Sequence, residues 1–227
     1  MSDNVGLDSF AGILSLMFVR VLIFLLGLSI LSFGIATVTQ AQLGTGSVSS
    51  LAYVLTLYTG VSMGTFVFLT NLFFYFVGIA AVPANFLKKA GLQLPTCFLF
   101  AACIDIAMPI AGLLTPSAYP LQLLMALCGS ALIGFGVSAM VHARLAILPV
   151  EGAALSIIQR FGGSFGTVRV SLDVFLVTAA VICSFLFFGE LRGLREGTVL
   201  AALLSGSFAK FFLKGWARLS PEHKAVD

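Results

Sequence analysis

Apolar segments joined by short polar connections fill almost all of this 227-residue sequence. A helix that crosses a bilayer needs about 20 predominantly apolar residues. With 59% hydrophobic and only 9% charged residues, the sequence predicts an all-α polytopic membrane protein. The expected membrane-embedded segments are Ile13–Gln40, Val48–Thr59, Gly64–Val82, Pro95–Leu114, Leu121–His142, Val150–Phe161, Gly166–Phe188 and Gly197–Lys214.

The second half of the chain repeats the first without a gap. The pattern G-x-S-x-G-T occurs at 60–65 and again at 162–167, an offset of 102 residues. We therefore predict two homologous membrane repeats of four segments each, at 13–114 and 115–217, with short tails at 1–12 and 218–227. A duplicated membrane protein with a short segment at the same place in each half is typical of transporters that bind substrate at the repeat interface.

The second segment of each repeat is too short to cross a membrane unaided. Val48–Thr59 would be about 18 Å long as a helix, whereas the hydrocarbon core is about 30 Å thick. If every segment crosses, each repeat has four spans and the repeats are parallel. If the short segments are re-entrant, each repeat has three spans and the repeats are inverted. Both topologies are compatible with the sequence.

The stretch Pro149–Asp173 carries charges where the flanking sequence is membrane-embedded. A charge near the bilayer centre costs roughly 2.5–3.5 kcal/mol on insertion scales, so it is normally paired or turned toward a wet cavity. Arg169 and Asp173 are four residues apart and share one helix face. Either they form an ion pair that makes both charges tolerable, or they line a cavity in which Arg169 binds an anionic group. The equivalent residues of the first repeat are Val67 and Asn71.

Two further polar positions stand near the short segments. Glu151 and its first-repeat equivalent Ser49 either cap free backbone amides of a first helical turn, or Glu151 is a proton or cation site opposite Arg169. His142 ends the fifth segment, where it is either an interfacial anchor or, because imidazole titrates near neutral pH, a proton-coupling group. The candidate substrate-binding or coupling residues are therefore Arg169, Asp173, Glu151, Asn71, His142 and Ser49.

Several classes of function are not expected. The four cysteines lie in apolar runs without CxxC spacing, so we predict neither a metal site nor a disulfide. The sequence contains no zinc-protease or phosphate-loop motif, and we interpret the G-x-S-x-G strings at 60–64 and 162–166 as segment junctions and not as hydrolase elbows. We therefore predict no catalytic residues, no enzyme activity and no cofactor. Lys and Arg stand at segment ends, which predicts membrane flanks and no nucleic-acid partner. The expected partners are the lipid bilayer and a small-molecule solute, and a homo-oligomer is compatible with the sequence.

Several strings of the chain resemble the YczE-like, YitT-related family of bacterial integral membrane proteins. The matching strings are FGIATVTQAQLG (33–44), FGVSAMVHARLAILPVE (135–151), FGTVRVSLD (165–173) and GTVLAALLSG (197–206). The resemblance implies a multi-pass protein of the bacterial inner membrane, in a family whose members are sometimes described as transporters or permeases. It implies no catalytic residues.

Duplication and buried charge together predict a secondary transporter or exporter of a small polar or anionic solute across the bacterial inner membrane. The alternative is a non-transporting membrane protein with an accessory or regulatory role.

Overall fold

The computed structural model describes residues 3–82 and 91–219, so Met1, Ser2 and the end of the C-terminal tail lie outside the described residues. Within these ranges the chain is all-helical, as the sequence predicts. Its eight helices are α1 (Asp3–Gln40), α2 (Ser47–Thr59), α3 (Met63–Ala81), α4 (Gln93–Gly112), α5 (Tyr119–Ala143), α6 (Pro149–Phe161), α7 (Phe165–Phe188) and α8 (Glu196–Leu219). The first helix begins upstream of the apolar segment expected from Ile13.

Six of these helices are long and apolar enough to cross a membrane, which makes the chain a multi-pass membrane protein by length and composition. The exceptions are α2 and α6, which have 13 residues each. At 1.5 Å per residue they are about 20 Å long, well short of a bilayer core. The expected short segments are thus present as helices close to their predicted bounds.

Each short helix ends at a glycine, and a capped long helix starts directly after it. Gly60 ends α2 with φ 73° and Gly162 ends α6 with φ 79°, in the left-handed region that glycine adopts without steric cost. The hydroxyls of Ser62 and Ser164 each accept a hydrogen bond from the backbone amide three residues later, and so cap α3 and α7. The recurring G-x-S-x-G-T pattern therefore encodes the same break and restart in both places.

The centre of the molecule is an antiparallel crossing of α1 and α5 through four glycines. Gly27 lies against Gly136, and Gly34 lies against Gly129. A Cβ added at Gly34 would lie 2.7 Å from the backbone nitrogen of Ile133. Small residues let the two helix backbones approach this closely.

Two further helices each run parallel to one member of this central pair. Near the end of α1, Gln40 Nε2 donates a hydrogen bond of 3.2 Å to the carbonyl of Met108, near the end of α4. Near the end of α8, Trp216 Nε1 donates a hydrogen bond of 3.2 Å to Ser138 Oγ, near the end of α5. Helix α4 therefore runs parallel to α1, and α8 runs parallel to α5. The two pairs run in opposite directions.

The remaining long helices, α3 and α7, restore the alternation of direction along the chain. Gly64, at the start of α3, lies beside Asp105 in the second half of α4. After α7 the chain turns directly into α8, and Ser184 Oγ accepts a hydrogen bond of 2.7 Å from the Arg192 amide in this turn. We call the side at which α3, α5 and α8 end the A side, and the side at which α1, α4 and α7 end the B side.

The two short helices start in the interior of the molecule. Val48 of α2 and Val150 of α6 both lie in a buried cluster with Phe74, from the middle of α3, and Leu176, from the middle of α7. Both helices therefore begin at mid-depth. We call these four residues the central cluster.

From the central cluster the short helices run outward to opposite sides. Tyr58, near the end of α2, stacks on Phe187, near the end of α7, with ring centroids 4.2 Å apart. Arg160, near the end of α6, donates hydrogen bonds of 2.8 and 3.2 Å to the carbonyls of Ala80 and Ala81, where α3 ends. Helix α2 thus ends at the B side and α6 at the A side, and neither crosses the molecule.

Candidate functional site

Three of the predicted site residues come together where α6 meets α7. Arg169 Nη1 lies 3.6 Å from Glu151 Oε1, and Arg169 Nη2 lies 3.7 Å from Asp173 Oδ1. The exposed fractions of the Arg169, Glu151 and Asp173 side chains are 25%, 32% and 24%. We call this group the charged cluster. The Arg169–Asp173 pair was expected from the sequence, and Glu151 joins it through a contact between helices.

The charged cluster is only loosely paired. Both N···O separations exceed the 2.7–3.2 Å of an N–H···O hydrogen bond. Glu151 Oε2, Arg169 Nη1 and Asp173 Oδ1 are solvent-inaccessible and have no hydrogen-bond partner among the described residues. A buried polar atom without a partner costs roughly 1–3 kcal/mol. The three residues thus have unused hydrogen-bonding capacity that faces inward.

The charged cluster lies beside the central cluster, on its A side. Glu151 directly follows Val150 in the first turn of α6, and Arg169 and Asp173 lie in the first turns of α7, before Leu176. Glu151 is the acidic residue in the first turn of α6, where a carboxylate interacts favourably with the helix dipole, and the side chain of the N-cap residue Leu148 makes no capping hydrogen bond.

Ser49 and Asn71 lie instead at a largely enclosed cavity of about 20 Å³ in the first half of the chain, which we call the closed cavity. The cavity is just large enough for one water molecule. Asn71 is 1% exposed; its Nδ2 donates to the Val67 carbonyl, and its Oδ1 has no partner among the described residues. Ser49 Oγ donates to the Gly46 carbonyl and lies 3.0 Å from Thr45 Oγ1. The remaining walls of the cavity come from Ile35, Val48, Val67, Thr70, Phe100 and Ile104.

His142 is placed apart from both groups. Its ring stacks on Trp216, with centroids 4.7 Å apart and planes inclined by 21°. This contact joins the ends of α5 and α8. The six predicted residues therefore occupy three places: the charged cluster, the closed cavity and the stack of His142 on Trp216.

Asp105 is a structurally important carboxylate that the sequence-based candidates omitted. Its Oδ1 accepts a hydrogen bond of 2.7 Å from the Gly64 amide, and its Oδ2 accepts one of 2.8 Å from Ser62 Oγ. A carboxylate at a helix N-terminus also interacts favourably with the helix dipole. Residues 60–64 have the G-x-S-x-G spacing of a hydrolase elbow, but here they join two helices and the Ser62 hydroxyl caps α3.

The start of α7 lacks the cover that α4 gives to α3. A Cβ at Gly64 would collide with the Ala101 carbonyl and the Asp105 carboxylate, whereas a Cβ at Gly166 would meet no atom within 4 Å. Ser207 of α8 donates to the carbonyl of Leu203 in its own helix. Helix α8 packs on α5 and α2, and it leaves the first turn of α7 open.

Residues 18–214 match the model of DUF6198, a family of unknown function. The chain belongs to the DUF6198 family. This DUF6198 protein is also similar to an uncharacterised protein of Haemophilus influenzae, with 30% identity over 198 residues that cover 87% of this chain and 84% of the relative. No solved structure matches it. Asp105 and the six candidate residues all fall within the part of the chain that defines the family.

Proposed function

We propose that this DUF6198 protein is a secondary transporter of a small polar solute across the bacterial inner membrane. In this proposal two inverted repeats form the transporter, and the charged cluster is its binding site. The observation that carries the proposal is the correspondence between the charged cluster and the closed cavity.

The repeat is supported by the way in which contacts exchange between the halves. Under the 102-residue offset Gly27 is equivalent to Gly129, and Gly34 is equivalent to Gly136. Exchanging the halves therefore converts the contact of Gly27 with Gly136 into the contact of Gly129 with Gly34. It likewise carries the packing of α1 on α4 onto that of α5 on α8, and the packing of α3 on α6 onto that of α7 on α2. A two-fold axis in the membrane plane would produce this exchange. Because each half contains three helices long enough to cross, the halves would be inverted.

The same offset maps the walls of the closed cavity onto the charged cluster. Three positions that are uncharged in the cavity of the first half carry charged side chains in the second half. Two further positions have bulky side chains in the first half and small residues in the second. The equivalent pairs are Ser49 and Glu151, Val67 and Arg169, Asn71 and Asp173, Phe100 and Ala202, and Ile104 and Gly206. A Cβ at Gly206 would meet no atom within 4 Å, which leaves space where the first half has the buried Ile104 side chain. The second half would therefore offer room beside three charged groups if α8 lay against α7 as α4 lies against α3.

Access to the two positions also differs between the halves. Asp105 holds α4 against the start of α3, while the equivalent start of α7 is open. The closed cavity would thus be sealed toward the B side and the charged cluster accessible from the A side. A site open to one side only is what alternating access requires of each end state. We further propose that the family is related to the YczE-like, YitT-related proteins that its sequence strings resemble.

The proposal is tested by a thermal-stability screen of the purified full chain against amino acids, organic acids, sulfonates and small cations. A ligand at about 100 times its Kd stabilises the native state by about 2.7 kcal/mol, which appears as a raised melting temperature. We expect a shift for wild type and for Ser49→Ala, a change at the closed cavity. We expect none for Arg169→Ala.

A triple variant distinguishes loss of the binding site from loss of the fold. Glu151→Ser, Arg169→Val and Asp173→Asn together give the second half the side chains of the first, which this fold already accommodates. We expect this variant to melt cooperatively and to lose the ligand shift. If wild type melts cooperatively and no solute shifts it, the transporter proposal fails and the accessory role is favoured.

A further inference from the structure

We propose that the charged cluster binds one unit of positive charge, supplied by a proton, by a monovalent metal cation or by a primary ammonium group. Its role as a coupling or solute site rests on the proposed function; the binding itself does not. The inference assigns the sign of the charge that the site accepts.

The charged cluster has an excess of negative charge. One guanidinium faces two carboxylates, so the cluster carries a formal charge of −1 when all three are ionised. An uncompensated charge in a region of low dielectric constant is costly, and such groups bind a counter-charge or neutralise. One positive charge would bring the cluster to neutrality.

Helices α2 and α3, which pack on α7 and α6 respectively, provide no further charge to the cluster. Helices α2 and α3 contain no Asp, Glu, His, Lys or Arg, and their titratable groups are Tyr53, Tyr58 and Tyr75. From α4, the Cys97 thiol lies within electrostatic reach of Glu151. Of the other basic groups, Arg20 is exposed on α1, Arg160 donates to the end of α3, and Lys210 and Lys214 lie on α8, which leaves the start of α7 open.

Glu151 Oε2 and Asp173 Oδ1 are both solvent-inaccessible and accept no hydrogen bond from any described residue, although Asp173 Oδ1 lies 3.7 Å from Arg169 Nη2. A proton or cation held between the two carboxylates would satisfy them, whereas an anion on Arg169 would meet a carboxylate on each side within 3.7 Å of the guanidinium. The geometry therefore favours a cation, opposite to the sign expected from Arg169 alone.

The closed cavity has uncharged residues at the positions equivalent to the charged cluster. These residues are Ser49, Val67 and Asn71, so the same backbone arrangement forms without any charge. The charges of the second half are not required to form the fold, which is why a ligand is the better explanation for them.

The test is a concentration-jump measurement on proteoliposomes of the full chain, adsorbed to a capacitive electrode without other solute. Separate jumps in protons, Na⁺ and methylammonium distinguish the three sources. We expect a transient inward charge displacement in wild type with at least one of them, and its loss in the triple variant and in Glu151→Gln. Glu151→Gln removes the excess negative charge and retains the Arg169–Asp173 pair, so it serves as a second, milder variant.

The outcomes separate this inference from the proposed function. No transient with any cation in wild type, or an equal transient in both variants, overturns the inference. A solute shift that is independent of pH, Na⁺ and methylammonium would support transport and overturn the cation site. Cation transients without any solute shift would support the cation site while the transporter proposal fails.

Discussion

At the scale of single residues, Arg169 is the counter-charge on which two carboxylates depend. Removing one partner of a buried pair costs about 3–5 kcal/mol, and the partial exposure of these side chains lowers that penalty. We expect Arg169→Ala to reduce the free energy of unfolding by about 1–3 kcal/mol, and the triple variant to remain within about 1 kcal/mol of wild type. Chemical denaturation in detergent measures both. A single variant as stable as wild type would contradict the pairing.

The same residues show how far sequence reasoning reaches. The Arg169–Asp173 pair follows from helical spacing alone, because residues four apart share a face. A position of Glu151 opposite Arg169 is one of the two hypotheses that the sequence offers, but the contact between α6 and α7 that places it there is specified by no local pattern. Asp105 was left aside for the same reason, since its partner amide at Gly64 is 41 residues away along the chain.

At the scale of helices, the glycine crossing of α1 and α5 sets how closely the two halves pack. Gly34→Ala would bring a Cβ to 2.7 Å from the Ile133 nitrogen and 2.9 Å from the Gly129 carbonyl oxygen. Because backbone atoms cannot move aside cheaply, we expect a loss of about 1–3 kcal/mol in unfolding free energy. The matched control is Gly215→Ala in α8, where a Cβ meets no atom within 4 Å; there, higher helix propensity should add up to about 1 kcal/mol. Equal melting temperatures for the two variants would refute this crossing.

The helices themselves were predictable from the sequence, but their paths were not. Apolar length gave the six long helices, and the G-x-S-x-G-T pattern gave both breaks, since glycine and serine act locally there. Whether α2 crosses depends on the packing of Val48 against the buried residues of the central cluster at mid-depth and on the stacking of Tyr58 at the B side. These are tertiary contacts, and hydropathy carries no information about them.

At the scale of the whole molecule, the start of α1 and the end of α8 both lie on the A side, with six helices long enough to cross a membrane between them. Arg144 and Lys214 lie at helix ends on this side, and Lys88 and Lys89, outside the described residues, stand between α3 and α4 in the sequence. The B side has Arg192 and Arg195, each paired with a neighbouring glutamate. Because cytoplasmic connections are enriched in Lys and Arg, the A side should face the cytoplasm.

Reporter fusions test this orientation. A fluorescent protein that folds only in the cytoplasm should be bright at either terminus, and alkaline phosphatase, active only outside it, should be inactive at both. Phosphatase activity at one terminus would mean an odd number of crossings, and activity at both would mean that the orientation is reversed.

Alternating access would exchange the conformations of the two halves. In the other state α8 would cover α7 as α4 now covers α3, bringing Ser207 to Ser164. In a background without the four native cysteines, we expect a disulfide between Ser62→Cys and Asp105→Cys in the resting protein. The pair Ser164→Cys and Ser207→Cys should also cross-link, but more slowly. If oxidant closes the first pair completely and never the second, the exchange does not occur.

The glycine crossing also has a consequence for synthesis. The surface of α1 that receives Gly129 and Gly136 is complete as soon as α1 enters the membrane, but its partner helix is translated 102 residues later. At about 5–20 residues per second, the delay is on the order of 5–20 s. During that interval lipid must occupy the groove beside Gly27 and Gly34, so assembly of the two halves ends with the displacement of lipid by α5.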